Sequence, residues 1–142
     1  MRVGSAGKNI QNVKKTENIK PKLALETAFK KSRSGLKVYT EKYGTGSKIE
    51  KGKNVVVHYE GWLAEDFTLF DSSKQKRRPF EFTLGEGQVI PGWEEALDGV
   101  RAGSVLQLKI PANLAYGASG NSGAGIPANA DLIFKVQVVR VK

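Results

Sequence analysis

The stretch VIPGWEEALDGV, residues 89–100, sets a tryptophan in a segment that has room for only about two helical turns. Pro91 and Gly92 punctuate the start, and Gly99 is a natural stop. Trp93, Ala96 and Leu97 share one face at i, i+3, i+4 spacing, whereas Glu94, Glu95 and Asp98 face away from it. Isolated helices shorter than roughly 12–15 residues are marginal in water. The stub therefore requires a larger apolar surface packed against Trp93, and the rest of the chain has to provide it.

From Gly35 onward the hydrophobic period is two. NVVVHYEGW, residues 54–62, alternates Val55, Val57, Tyr59 and Gly61 with Val56, His58, Glu60 and Trp62. PFEFTL sets Phe80, Phe82 and Leu84 on one face, and SVLQLKI sets Leu106, Leu108 and Ile110 on one face. KVYTEKYG, residues 37–44, reads as a first strand, and LIFKVQVVRVK closes the chain as a long β-branched one. Turn residues separate these runs, and besides the Trp93 stub only 113–116 looks helical. The expected architecture is α+β: an antiparallel sheet of five or six strands wrapped on one short helix. Tyr59, Phe80 and Phe82 would leave a large apolar patch on the sheet, and Trp93 is the plug for it.

The 142 residues suggest one domain with an appendage. Residues 1–35 carry nine Lys/Arg against Glu17 and Glu26, net +7, so most of the chain's +9 sits there and the remainder is nearly neutral. We divide the chain at this point into a basic extension, 1–34, and a globular unit, 35–142. Residues 1–20 lack the apolar density of a core and read as flexible, while LALETAFKKSRSG supports a short helix over 22–33. Such an extension suits a nucleic acid or an acidic protein surface, or is a solvated leader. Its first residues have no apolar run like that of a secretory signal, and no stretch approaches the roughly 18–20 apolar residues of a membrane span. With no Cys, the chain has neither disulfide nor thiolate, which fits a reducing intracellular compartment, the cytoplasm first.

The usual catalytic equipment is missing. His58 is the only His, and it lies mid-strand opposite Tyr59, where a structural role is the simpler one. One His and scattered carboxylates give no metal-ligand spacing, so no metal or cofactor is expected. Neither GxxxxGK[ST] nor a GxGxxG opening a helix after a strand is present. An enzyme built this way must act without nucleophile, metal or cofactor, and bond rotation is one of the few reactions that allow it.

VHYEGWL (57–63), LFDSSKQKRRPFEF (69–82), QVIPGWEEAL (88–97) and AYGASGNSGAGIPANADLIF (115–134) together resemble the FKBP family, peptidyl-prolyl cis-trans isomerases that bind tacrolimus and rapamycin. The resemblance covers about 35–142, with the elements in the family's order. It implies a monomeric body that acts on proline-containing polypeptides in an aromatic pocket floored by Trp93. By the same resemblance the site comprises Tyr59, Phe70, Asp71, Trp93, Tyr116 and Phe134, with Phe80, Val89, Ile90, Ile126 and Lys76 on the substrate. Tyr116 and the Ile90 N–H would donate to substrate carbonyls, and Asp71 would accept from Tyr59 and from a basic side chain. A docking module with little turnover, tethered through the basic extension, is the alternative implied by the same fold.

Three departures from the family pattern stand out. Lys76, followed by Arg77 and Arg78, occupies the place where single-domain members often carry an Arg partner for the pocket Asp. Lysine lacks the bidentate fork of arginine, so either the pairing is weaker or Arg77 substitutes. The loop NSGAGIPANAD has Asn121, Ala124 and Gly125 where common members present a His and a large aliphatic residue, and it is one residue longer. The turn WLAEDFTLF is also one residue longer, with Trp62 on the side expected to be exposed.

Overall fold

The structure is a computed structural model and describes residues 21–142. The expectations for 1–20, both flexibility and a nucleic-acid or acidic partner, concern residues outside that range. Among the described residues no helix is long and apolar enough to cross a membrane.

The longest strands form the middle of one antiparallel sheet. β3 (Asn54–Leu63) runs against β7 (Leu132–Val141), from Val55 opposite Val141 to Leu63 opposite Leu132. β6 (Val105–Ile110) flanks β7, pairing Leu106 with Val136 and Leu108 with Phe134. β2 (Lys37–Lys42) follows β6, and β1 (Lys30–Lys31) follows β2. The other edge of β3 is divided between two short strands. β4 (Leu69–Ser72) takes its C-terminal part, and β5 (Phe80–Thr83) its N-terminal part. The sheet thus has seven strands rather than five or six. The additional ones are β1, two lysines long, and β4, whose LFDS does not alternate apolar with polar.

One side of this sheet holds the core. Val55, Val57, Tyr59 and Leu63 from β3 join Phe82, Leu106, Leu108, Ile110, Leu132, Phe134, Val136 and Val138 there. The helix α1 (Pro91–Leu97) lies over them with Trp93 and Leu97 both 0% exposed. Full burial of a large apolar side chain is worth about 1.5–3 kcal/mol, enough to hold a seven-residue helix that could not stand alone. Gly92 permits the close approach: a Cβ there would lie 2.6 Å from Ile110 Cγ2. The Glu94 carboxylate accepts the Gly85 and Gly87 N–H groups at 2.7 and 3.0 Å, tying the preceding loop to the first turn of α1.

The opposite face is also covered, which corrects the expectation for Trp62. Its side chain is only 6% exposed and packs with Leu69 and Ile133, with Leu23, Ala64 and Phe67 alongside. The cover comes partly from the segment expected to be a helix over 22–33, which is extended instead. Only Glu26–Ala28 makes a single 3-10 turn, with Leu25 before it and Phe29 after it in extended conformation. The reason lies in where its apolar groups go. Leu23 joins the Trp62 cluster, Phe29 rests on Tyr39 with rings 5.9 Å apart, and Leu25 is 78% exposed. Three apolar residues with three destinations cannot share a helical stripe. The Ala24 N–H donates to Gln107 Oε1 at 2.9 Å, so the polypeptide is fastened to the sheet well before the expected division at 34/35. That division falls in the turn between β1 and β2. The short helix expected near 113–116 is a 3-10 turn, Ala112–Leu114.

Glu26 is a second fastening. Its carboxylate receives the ammonium groups of Lys109 and Lys37 and is held at a pKa of about 2 by those contacts, Lys109 foremost. A depressed carboxylate pKa contributes stability above its unfolded value, near 4.5, and loses it as pH falls towards the folded value. Glu26→Gln should therefore unfold at a lower temperature than the parent at pH 6. That gap should close between about pH 4.5 and pH 2 in thermal melts. A gap that is constant across this range would show that the two lysines do not hold the carboxylate.

Candidate active site

β3 carries Tyr59 into the core, and its neighbour in the next inward position is Gly61. A Cβ at Gly61 would sit 2.7 Å from both Phe134 Cε1 and Phe70 Cζ. The missing side chain is what lets those rings meet edge to face, with centroids 5.6 Å apart and planes at 88°. The β3–β4 ladder also shifts register between Gly61 and Trp62.

The indole of Trp93 is the hub of the ring set. Tyr59 and Phe134 meet it edge-on at 5.2 and 5.3 Å, with Phe82 at 5.9 Å and Phe80 at 6.2 Å. Phe80 also lies 5.9 Å from Tyr59. Edge-to-face pairs of this kind add about 0.5–1.5 kcal/mol beyond area burial and fix ring orientation. Val89, Ile90 and Ile126 are buried in the same cluster, and Tyr116 packs against it half-buried. The Trp93 Nε1 donor is buried with no hydrogen-bond partner. Buried donors without a partner are rare in folded proteins.

One carboxylate stands beside these rings. Asp71, on β4, has a fully buried side chain, and its Oδ2 accepts the Tyr59 hydroxyl at 2.6 Å. The Lys76 ammonium lies 2.8 Å from Oδ1, an ion pair rather than an aligned hydrogen bond. Of the two candidates for this contact, Lys76 makes it and Arg77 does not. The Tyr116 hydroxyl is pushed up to about 12, first by burial and second by the negative charge of Asp71. It is therefore a protonated donor throughout the neutral range.

His58 stands apart from this set. Its Nδ1 is 2.9 Å from Ser73 Oγ, which also accepts the Tyr59 backbone N–H at 2.8 Å. That arrangement anchors the chain after β4, and Ser73 is only 1% exposed, which suits a structural contact rather than a nucleophile. Among the described residues no three His, Cys, Asp or Glu side chains gather as a metal cluster would need.

Nine of the eleven residues named from the sequence thus fall in or against one apolar cluster, with Asp71 and Lys76 linked to it through Tyr59. Two further contributors were missing from that set. Phe82 stacks on Phe80 at 5.7 Å and touches the indole, as the shared parity of positions 80 and 82 already implied. Gly61 acts through an absence of atoms, and nothing in strand periodicity signals it. Gly61→Ala should push Phe70 and Phe134 apart, destabilising the fold by about 1–3 kcal/mol. Denaturant unfolding would measure this, and a stability within about 0.5 kcal/mol of the parent would mean that the rings relax freely.

Comparison with known proteins agrees with the geometry. Residues 45–139 match the family model described as FKBP-type peptidyl-prolyl cis-trans isomerase. The FK506-binding protein of Neisseria meningitidis serogroup B is 46% identical over 107 residues, 75% of this chain and 96% of the relative. Peptidyl-prolyl cis-trans isomerase FPR2 of Saccharomyces cerevisiae is 46% identical over 95 residues, 67% of this chain and 70% of the relative. The crystal structure of FkpA from Escherichia coli superposes with a TM-score of 0.75 at 34% identity, covering 97% of this chain and 59% of that one. With most of its length matched in both sequence and fold, the chain belongs to the FKBP-type peptidyl-prolyl cis-trans isomerase family.

Proposed function

We propose that this isomerase turns X-Pro bonds in the pocket floored by Trp93, with the prolyl ring on the indole between Tyr59, Phe70, Phe80 and Phe134. The observation that carries the assignment is the bond from Tyr59 to the buried Asp71 carboxylate, which fixes one wall of an otherwise apolar ring set. A planar X-Pro amide resists rotation because twisting breaks its resonance, at a barrier of about 18–20 kcal/mol. The planar form is the more charge-separated one, so a dry aromatic surround disfavours it relative to the twisted form. Holding the ring while the preceding carbonyl swings adds an orientational contribution. Val89, Ile90 and Ile126 close the apolar surround. The Tyr116 hydroxyl, protonated to about pH 12, and the Ile90 N–H orient substrate carbonyls. Lys76 acts through Asp71, neutralising its charge, and no residue gives or takes a proton in the reaction.

Proline-containing polypeptides are the substrates on this reading. The relatives named FK506-binding proteins support macrolide binding at the same pocket. The catalytic unit extends over about 23–142, since Leu23 and Ala24 are already fastened to the sheet, and the basic extension comprises the residues before it.

Asp71→Val should lower kcat/KM by about 10- to 100-fold, the kinetic equivalent of one hydrogen bond to a charged group. The protein should remain folded, because the carboxylate orients Tyr59 and carries none of the apolar core. Trp93→Leu should weaken both peptide turnover and macrolide affinity while leaving the sheet plugged. Two-dimensional exchange NMR on a Leu-Pro peptide, with circular dichroism as the control for folding, measures both. Full turnover in Asp71→Val would remove the carboxylate from the mechanism, and absence of added exchange with the parent protein would remove the isomerase reading.

A further inference from the structure

The turn between β4 and β5, residues 73–79, reads SKQKRRP and joins two walls of the pocket. Asp71 lies just before it, and Phe80, whose ring is 6.2 Å from that of Trp93, begins the strand after it. The turn is held at both ends. The Ser73 N–H donates to the Tyr59 carbonyl at 2.9 Å, and the Arg78 N–H donates to the Ser73 carbonyl at 3.3 Å. Between these points Arg77 adopts a left-handed φ of 58°, which side chains other than Gly, Asn and Asp seldom take up. Residues 74–79 are all exposed.

Charge in this turn is not balanced. The carboxylates flanking it in sequence are Asp71 and Glu81. Asp71 is engaged by Lys76, and Glu81 by Lys142 at 3.0 Å. Among the described residues Arg77 and Arg78 form no ion pair with any carboxylate. Two guanidinium groups without counter-charge therefore stand on a short, pinned turn that joins the strand bearing Asp71 to the strand bearing Phe80.

We propose that Arg77 and Arg78 select among proline peptides, favouring those with an anionic residue within a few positions of the proline. This deepens the isomerase reading and rests on it. The pocket itself reads only the prolyl ring and its apolar neighbour, while guanidinium groups recognise carboxylate or phosphate through paired N–H donors. Because the groups are exposed, their contribution is modest and sensitive to salt. We expect about 3- to 10-fold in kcat/KM at low ionic strength, shrinking as the screening length falls from about 30 Å at 0.01 M to 3 Å at 1 M.

The test uses the full chain and four peptides that share Leu-Pro-Phe and differ only in the flanking residues, which are Glu, phosphoserine, Gln or Lys. Exchange NMR gives kcat/KM for each at low and high salt, with the parent and with Arg77→Asn/Arg78→Gln, where Asn tolerates the left-handed φ. The quantity read is the ratio to the Gln peptide within each protein, so a general change of activity does not affect it. Support would be a Glu or phosphoserine ratio of about 3–10 and a Lys ratio below one, both collapsing towards one in high salt and in the double variant. The two anionic peptides distinguish carboxylate from phosphate as the preferred group. Equal rates for Glu, phosphoserine and Gln at low salt would overturn the proposal, as would a preference that survives in the double variant. No acceleration of any peptide would instead overturn the isomerase reading, and this one with it.

Discussion

A seven-residue helix has almost no stability of its own, and burial of the Trp93 indole is what keeps α1 on the sheet. The rest of the arrangement follows from accommodating that one side chain. β5 brings Phe80 and Phe82 to one side of it, β3 brings Tyr59, and β7 brings Phe134. These rings come from strands far apart in sequence, so the pocket exists only when the whole sheet is assembled. The same contacts that stabilise the helix are the ones that, on the proposed reading, would seat a prolyl ring. On that reading stability and function would draw on one set of atoms, so substitutions at Trp93 have to keep the plug in order to isolate a binding role.

The polar part of the pocket is small and specific. Asp71 is buried among rings, where an uncompensated charge would be costly, and two partners compensate it. Tyr59 supplies a hydrogen bond from inside the core, and Lys76 supplies a counter-charge from the surface turn. A lysine does this as a point charge without the planar fork of arginine. The adjacent Arg77 and Arg78 are exposed and pair with no carboxylate among the described residues. The turn thus carries one cation paired with Asp71 and three, Lys74, Arg77 and Arg78, that form no ion pair among the described residues.

How much of this could be read from the sequence differs by element. The alternation in 54–62, 80–84, 105–110 and 132–141 located the long strands, because their inner faces are continuously apolar. The helix was legible from Pro91, Gly92 and Gly99 together with the spacing of Trp93 and Leu97. β1 and β4 were not, since LFDS does not alternate apolar with polar and β1 is only the pair Lys30–Lys31. The composition of 22–33 suits a helix, whereas its apolar side chains are drawn to separate patches on the sheet. Parity alone puts Trp62 on the solvent side, and it cannot show that Leu23 and Phe67 cover the second face. The residues named through motif resemblance are brought together by the fold, nine in one apolar cluster with Asp71 and Lys76 linked to it. Gly61 and the choice of Lys76 over Arg77 depend on distances that only the fold defines.

The central claim is that Asp71 acts by holding Tyr59 in the wall of the pocket, and a double-mutant cycle in kcat/KM tests it most directly. Tyr59→Phe, Asp71→Ala and the pair would be assayed by exchange NMR on one Leu-Pro peptide. If the two groups work through their mutual hydrogen bond, the pair should lose little more than the worse single variant, a coupling of about 1.5–3 kcal/mol. Losses that add to within about 0.5 kcal/mol would show that the hydroxyl and the carboxylate act independently, and would contradict the account.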